Sequence, residues 1–154
     1  MEELKLTKSG GIAVDDRGSL RFVNDFDFQG VKRFYQVENH RRGFIRAWHG
    51  HLKEAKYVYV ASGTALVGVT PLIQHDNMLE PGGYVPSNRD VKRFVLSAKA
   101  PQVLYIPPGY ANGFKNLEDG TIILFFSTTT LEESKGDDLR FSHTLVDIWQ
   151  EDFR

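Results

Sequence analysis

His49 and His51 stand two positions apart in Trp48-His49-Gly50-His51, and Lys56 follows five residues later. In an extended strand, residues at i and i+2 project to the same face, so both imidazoles address one surface. A neutral imidazole accepts a proton near pH 7, and an ammonium taken out of water stabilises an oxyanion that develops beside it. The competing use of paired histidines is to hold a divalent metal, which needs groups with lone pairs. Lys56, when charged, has none to give. A lysine directed into an interior is unfavourable unless paired or used, whereas a one-residue change of register would leave it solvated. We read Lys56 as inward-facing and the cluster as proton-transfer machinery.

The elements that must position these groups are short and β-rich. Runs of Val, Ile, Tyr and Phe alternate with Gly, Pro, Asn and Asp, which predicts strands over 12–14, 20–24, 32–37, 45–51, 57–61, 65–69, 92–96, 102–106, 111–116 and 121–127. The stretch 57–69 reads as a hairpin turning at Ser62-Gly63, where glycine can take positive φ. Residues 71–90, with His75, Asp76 and Glu80, read as an irregular rim or lid loop, and 131–138 as a short exposed helix or turn. The acidic residues Glu132, Glu133, Asp137 and Asp138 read as a solvated face, Arg41 and Arg42 as a solvated turn, and Trp48, Tyr57, Tyr59, Phe114 and Phe126 mostly as core.

With 154 residues the chain is expected to form a single domain spanning 1–154. Hydrophobic residues make up 41% and charged residues 25%, with a formal net charge of -1, so no basic footprint for nucleic acid is present. There is no cysteine, which excludes disulfides, thiolate metal sites and a thiol nucleophile. The first residues lack the apolar core of a signal peptide, and no apolar run approaches the roughly eighteen residues that span a bilayer. A cytoplasmic protein without membrane contact is the expectation.

Two spacings resemble the signatures of the cupin barrels. Gly43, His49, His51, position 56 and Gly63 follow G-x5-H-x-H-x4-E-x6-G, with Lys56 at the Glu position. Pro107, Gly109, position 112 and Asn116 follow P-x-G-x2-H-x3-N, with Asn112 at the His position. The resemblance implies an all-β fold, a cupin jelly-roll β-barrel with little helix. Two of that superfamily's metal-ligand positions are replaced, so it implies a pocket with no metal.

More specific strings resemble the dTDP-4-dehydrorhamnose 3,5-epimerase family. These are Asp16-Arg17-Gly18, Gly43 through His49, Lys56 through Gly63, and Leu104 through Phe114, with weaker matches at Asp138 through Phe141 and at Ile148-Trp149. The resemblance implies a homodimer, needing no cofactor, that acts on a nucleotide-linked 4-keto-6-deoxy hexose, a dTDP sugar by analogy. In this family a base removes a proton beside the ketone and an acid returns one from the opposite face. By resemblance His49 is the base and Lys56 stabilises the enolate, with His51 beside them. Arg17 and Arg46 bind the diphosphate, and Tyr110 and Asn112 contact substrate.

Two departures bear on the activity. The family's catalytic tyrosine belongs in the region Phe125-Phe126-Ser127-Thr128-Thr129-Thr130, which has none, so the acid is either another group, such as Tyr57, Tyr59, Tyr105 or Tyr110, or absent. The family's histidine-orienting aspartate belongs to a block past Arg154, so it is expected to be missing. His49-Gly50-His51-Leu52-Lys53 also resembles the H-A-H-K string of the dTDP-sugar 3,4-ketoisomerases. The alternatives are therefore a ketoisomerase, a non-catalytic sugar-nucleotide binding cupin or, more remotely, a metal-dependent cupin.

Overall fold

A computed structural model of the chain describes residues 6–74 and 83–151. Strand outweighs helix 54% to 4%, so the fold is all-β and cupin-like, with a curled half-barrel sheet. In order, the elements are β1 (Leu6–Ser9), β2 (Gly11–Asp15), β3 (Gly18–Phe22), β4 (Arg33–Glu38), β5 (Ile45–His51), β6 (Lys56–Ser62) and β7 (Thr64–Gln74). They continue with β8 (Tyr84–Pro86), β9 (Lys92–Ser97), β10 (Gln102–Ile106), β11 (Tyr110–Asn116), β12 (Ile122–Ser127), α1 (Leu131–Ser134) and β13 (Leu139–Arg140). Among the described residues no helix is long and apolar enough to cross a membrane.

One sheet runs β1-β10-β6-β12-β4 and another β13-β5-β11-β7-β8, with β9 also on β7; β2 and β3 form a separate two-stranded ribbon. The alternation of each strand decides which side chains meet between the sheets. Val58 and Val60, Val67 and Val69, Leu104 and Ile106, and Ile123 and Phe125 pack with Phe114 into the inner core. Burying each such side chain contributes roughly 1.5–3 kcal/mol. A second cluster lies on the other face of the six-stranded sheet, where Trp48, Leu66 and Ala111 meet Phe141, Val146 and Trp149.

The structure corrects several expectations. Strands β6 and β7 do not form a hairpin: β6 pairs with β10 and β12, while β7 pairs with β11, β8 and β9. Gly63 instead carries the chain from one sheet to the other at φ 73°, where a Cβ would sit 2.8 Å from Thr121 Cα. The expected loop at 71–90 is partly strand, because β7 runs on to Gln74 and pairs Leu72, Ile73 and Gln74 with Pro86, Val85 and Tyr84 of β8. His75, Asp76 and Glu80 lie outside the described residues. Trp48 and Phe114 are core, but Tyr57, Tyr59 and Phe126 are half-buried on the outer face, because their neighbours Val58, Val60 and Phe125 take the inner one.

One irregularity shapes the future site. In the β5/β11 ladder Asn112 pairs with His49, but Phe114 pairs with Arg46, so β5 spends three steps where β11 spends two. Without this bulge Arg46 and His49, three residues apart, would face opposite sides; with it both face inward. The bulge brings Ala47 against β11, where a Cβ on Gly113 would lie 3.0 Å from Ala47 Cα and closer still to its Cβ. Gly113→Ala is therefore expected to destabilise the fold by about 1–3 kcal/mol, measured by urea unfolding.

Candidate functional site

A cavity of about 300 Å³ opens between the two sheets at one end of the barrel. Its wall on the five-stranded side comes from alternate residues: Arg33, Tyr35 and Val37 of β4, Lys56 of β6 and Phe125 of β12. The opposite wall carries Arg46, His49 and His51 of β5 with Asn112 and Phe114 of β11. Glu54, from the turn between β5 and β6, reaches in from below, and Leu131, Ser134, Asp138 and Arg140 form the rim.

His49 is half-buried, and no side chain among the described residues hydrogen-bonds its ring. Burial, and then the Lys56 ammonium, push its imidazole down to about 4. At neutral pH His49 is therefore an uncharged ring with a free lone pair, the state a general base requires.

Lys56 is buried to 6% exposure, as its inward reading required. Its Nζ lies 3.7 Å from Glu54 Oε2 and over the rings of Phe125 and Tyr35, at 5.6 and 5.8 Å from their centroids. Glu54 is buried still more completely. Its Oε1 accepts from Arg33 at 3.0 Å, from Thr129 at 2.9 Å and from the Ser127 hydroxyl. Burial alone would raise this carboxyl, but Lys56 and the hydroxyl of Ser127, with His51 and Thr129, hold it below the usual range.

His51 differs from His49 in having both nitrogens directed at protein atoms. Nδ1 is 2.6 Å from the Asp137 carbonyl oxygen, and Nε2 is 3.2 Å from Glu54 Oε2, off the line of a hydrogen bond. Asp137 itself is buried, and its carboxylate accepts from the backbone N–H groups of Leu52, Lys53 and Glu54 at 2.7, 3.0 and 2.9 Å. Only Glu132, Glu133 and Asp138 of the expected solvated acidic face are exposed. Asp137 is drawn in because the turn after β5 leaves three donors without strand partners.

The structure thus brings His49, His51, Lys56, Arg46 and Asn112 together. Arg46 is held by Asn39 Oδ1 at 2.7 Å, and the Asn112 amide donates to the His49 carbonyl at 3.4 Å. Arg17 lies elsewhere, at the β2–β3 turn, exposed and paired with Asp15 at 2.6 Å. Tyr110 packs in the inner core and does not line the cavity. Tyr57, Tyr59 and Tyr105 do not line it either; the tyrosine that does is Tyr35, stacked on Phe125 at 5.1 Å.

Sequence reasoning missed Arg33, Tyr35, Glu54 and Arg140. A period-two reading of Arg33-Phe34-Tyr35-Gln36-Val37 could have found the first two, which share a face with inward Val37. No signal marked Glu54. A metal does not fit this donor set: an ammonium and a neutral amide accompany the two histidines, and no group of three His, Asp or Glu among the described residues could hold one.

The family model for dTDP-4-dehydrorhamnose 3,5-epimerase matches residues 12–151. No curated protein matches the chain in sequence. Among solved structures, the rmlC epimerase of Mycobacterium tuberculosis is similar at 20% identity and a TM-score of 0.69, covering 89% of this chain and 68% of that one. ChmJ of Streptomyces bikiniensis, a 3'-monoepimerase in complex with dTDP-quinovose, is similar at 18% identity and a TM-score of 0.72, covering 95% and 74%. The QdtA 3,4-ketoisomerase of Thermoanaerobacterium thermosaccharolyticum, in complex with TDP, is similar at 17% identity and a TM-score of 0.64, covering 94% and 92%. At these identities the likeness is one of fold.

Because the folded chain resists a proton on His49, the unfolded chain takes it up first as pH falls below the ordinary 6.5. Stability is then lost progressively down to about 4. An NMR titration of His49 is expected to show its midpoint near 4, and Lys56→Met is expected to raise that midpoint by removing the neighbouring positive charge.

Proposed function

The chain belongs to the dTDP-4-dehydrorhamnose 3,5-epimerase family, a family of enzymes, and on that premise we propose that it epimerises a nucleotide-linked 4-keto-6-deoxy hexose beside its ketone. The observation that carries this reading is the placement of a neutral, unengaged His49 across the cavity from a buried Lys56. His49 removes the proton from the carbon next to C4. The electron pair delocalises onto the ketone oxygen, and the Lys56 ammonium stabilises the enolate.

Inversion needs an acid on the other face of the sugar. His49 projects from the six-stranded sheet and Tyr35 from the five-stranded one, so the two flank whatever lies between. Tyr35 is the candidate acid, in place of those expected from sequence. The reaction moves only a proton, so its balance calls for no redox cofactor. Arg46 on the wall and Arg140 at the rim suit the diphosphate, because the forked donors of arginine match phosphate oxygens. The complexes of ChmJ with dTDP-quinovose and of QdtA with TDP support a dTDP-linked substrate. In a homodimer, Arg17 on its projecting ribbon would serve the cavity of a second copy.

The test is NMR of dTDP-4-keto-6-deoxyglucose incubated with the enzyme in D2O. Loss of the C3 and C5 proton signals with the ketone still at C4 is the expected result; exchange at C3 alone narrows the activity to one carbon. Migration of the ketone would make the enzyme a 3,4-ketoisomerase, and binding without exchange would make it a binding module. His49→Ala is expected to abolish exchange, and Tyr35→Phe to slow it by about 10²–10⁴-fold. The acid limb of kcat/KM is expected near pH 4, where free His49 takes up its proton.

A further inference from the structure

We propose that Glu54 is a positioning residue for this reaction: with His51 it shares one buried proton, and the pair fixes the Lys56 ammonium across the cavity from His49. The kinetic part of this inference rests on the proposed epimerase activity; the proton itself does not.

The argument begins at the Asp137 carbonyl. A carbonyl oxygen only accepts, so His51 Nδ1, 2.6 Å away, carries a hydrogen. In a neutral imidazole the other nitrogen is then a bare lone pair. That nitrogen, Nε2, faces Glu54 Oε2 at 3.2 Å, and neither atom is hydrogen-bonded. Two acceptors set against each other, at 8% and 1% side-chain exposure and away from water, repel. A single proton between them turns the same contact into a charge-assisted hydrogen bond after a small rotation of the ring.

The proton resides on Nε2. Glu54 Oε1 is already occupied by donors from Arg33, Ser127 and Thr129, which favour the ionised carboxylate and leave Oε2 as the oxygen directed to His51 and Lys56. The charged and titratable groups facing the pair are Arg33 from β4, His49 from β5, Lys56 from β6 and Asp137 from the segment after α1. Burial first and the Lys56 ammonium next push the His51 imidazole below its ordinary range, against the pull of Glu54 and of the Asp137 carbonyl and carboxylate; the second proton is assigned against that direction, on the geometry of two buried acceptors in contact.

The consequence is a division of labour between two histidines of identical chemistry. His51 is committed at both nitrogens and cannot receive a proton from substrate where it stands. His49 is left as the base. Glu54 is the one anion among the described residues in contact with Lys56, so the position of that ammonium depends on it.

The experiment is nitrogen-15 NMR of histidine-labelled, ligand-free enzyme at neutral pH, wild type against Glu54→Gln. The wild type is expected to show both His51 nitrogens protonated. In Glu54→Gln the side-chain amide donates to Nε2, which becomes a bare acceptor while Nδ1 keeps its hydrogen. In turnover, kcat of Glu54→Gln is expected to fall by about a hundredfold, the low end of what a positioned proton-transfer system contributes, with KM within about threefold. A bare Nε2 in the wild type overturns the shared proton. An unchanged kcat in folded Glu54→Gln overturns the positioning role. Should Glu54→Gln not fold, the wild-type spectrum still decides the first point, and Glu54→Asp, which keeps the charge but withdraws it by one methylene, decides the second through an intermediate loss of kcat. Absence of exchange on the sugar would sink the epimerase reading while leaving the spectrum to stand or fall alone.

Discussion

An ammonium group withdrawn from water is the constraint around which this interior is arranged. Removing a charge from solvent carries a penalty of several kcal/mol unless opposite charge and hydrogen bonds answer it. Lys56 is answered by Glu54, and Glu54 in turn needs Arg33, Ser127 and Thr129 to fill its second oxygen. Strand register delivers them: Ser127 of β12 pairs with Lys56 of β6 on one side and with Arg33 of β4 on the other. One row across three strands thus supplies the lysine, a hydroxyl and the arginine, and the turn between β5 and β6 inserts the carboxylate among them. In the next row, Tyr35 and Phe125 turn that wall of the cavity from charged to apolar, with Val58 beside them in the core.

Strand β5 works under the opposite pressure, since both of its faces are covered. Arg46, His49 and His51 face the cavity, while Trp48 is buried completely against Phe141, Val146 and Trp149, with its indole N–H donated to the Val146 carbonyl at 3.1 Å. Simple alternation cannot satisfy a strand whose inward residues are 46, 49 and 51. The bulge absorbs the extra residue, and the two indoles anchor the outer side so that the register cannot slip.

Much of this was legible in the sequence, for reasons that also mark its limits. Runs of Val, Ile, Tyr and Phe bounded by Gly, Pro and Asn gave 45–51, 102–106 and 111–116 to within a residue. The paired histidines were legible because residues at i and i+2 share one strand face, and Lys56 because it stands on the neighbouring strand at the position where the barrel spacing has an inward-facing Glu. The partition of strands between sheets was not: β6 and β7 have the local pattern of a hairpin, and only long-range pairing with β10, β12 and β11 separates them. Glu54 and Asp137 were invisible because charged residues in turns ordinarily face water. Their burial depends on hydrogen-bond partners 21 to 86 residues away along the chain. Tyr35 was within reach of a period-two reading but competed with Phe34, which looked equally fit for the interior and is in fact the outward residue.

Asp137 joins two levels of the molecule that would otherwise be independent. Its carboxylate holds the turn from Leu52 to Glu54, and its carbonyl holds His51; the next residues, Asp138 and Arg140, belong to the mouth. Four hydrogen bonds from a single residue tie entrance to interior. The rim therefore cannot swing outward as a free flap: any motion that lifts Asp137 strips the turn beneath Glu54 at the same moment. Access and charge balance form one cooperative unit, and insertions or deletions between α1 and β13 would be felt first at the buried Glu54 carboxylate, 83 residues from Asp137 along the chain.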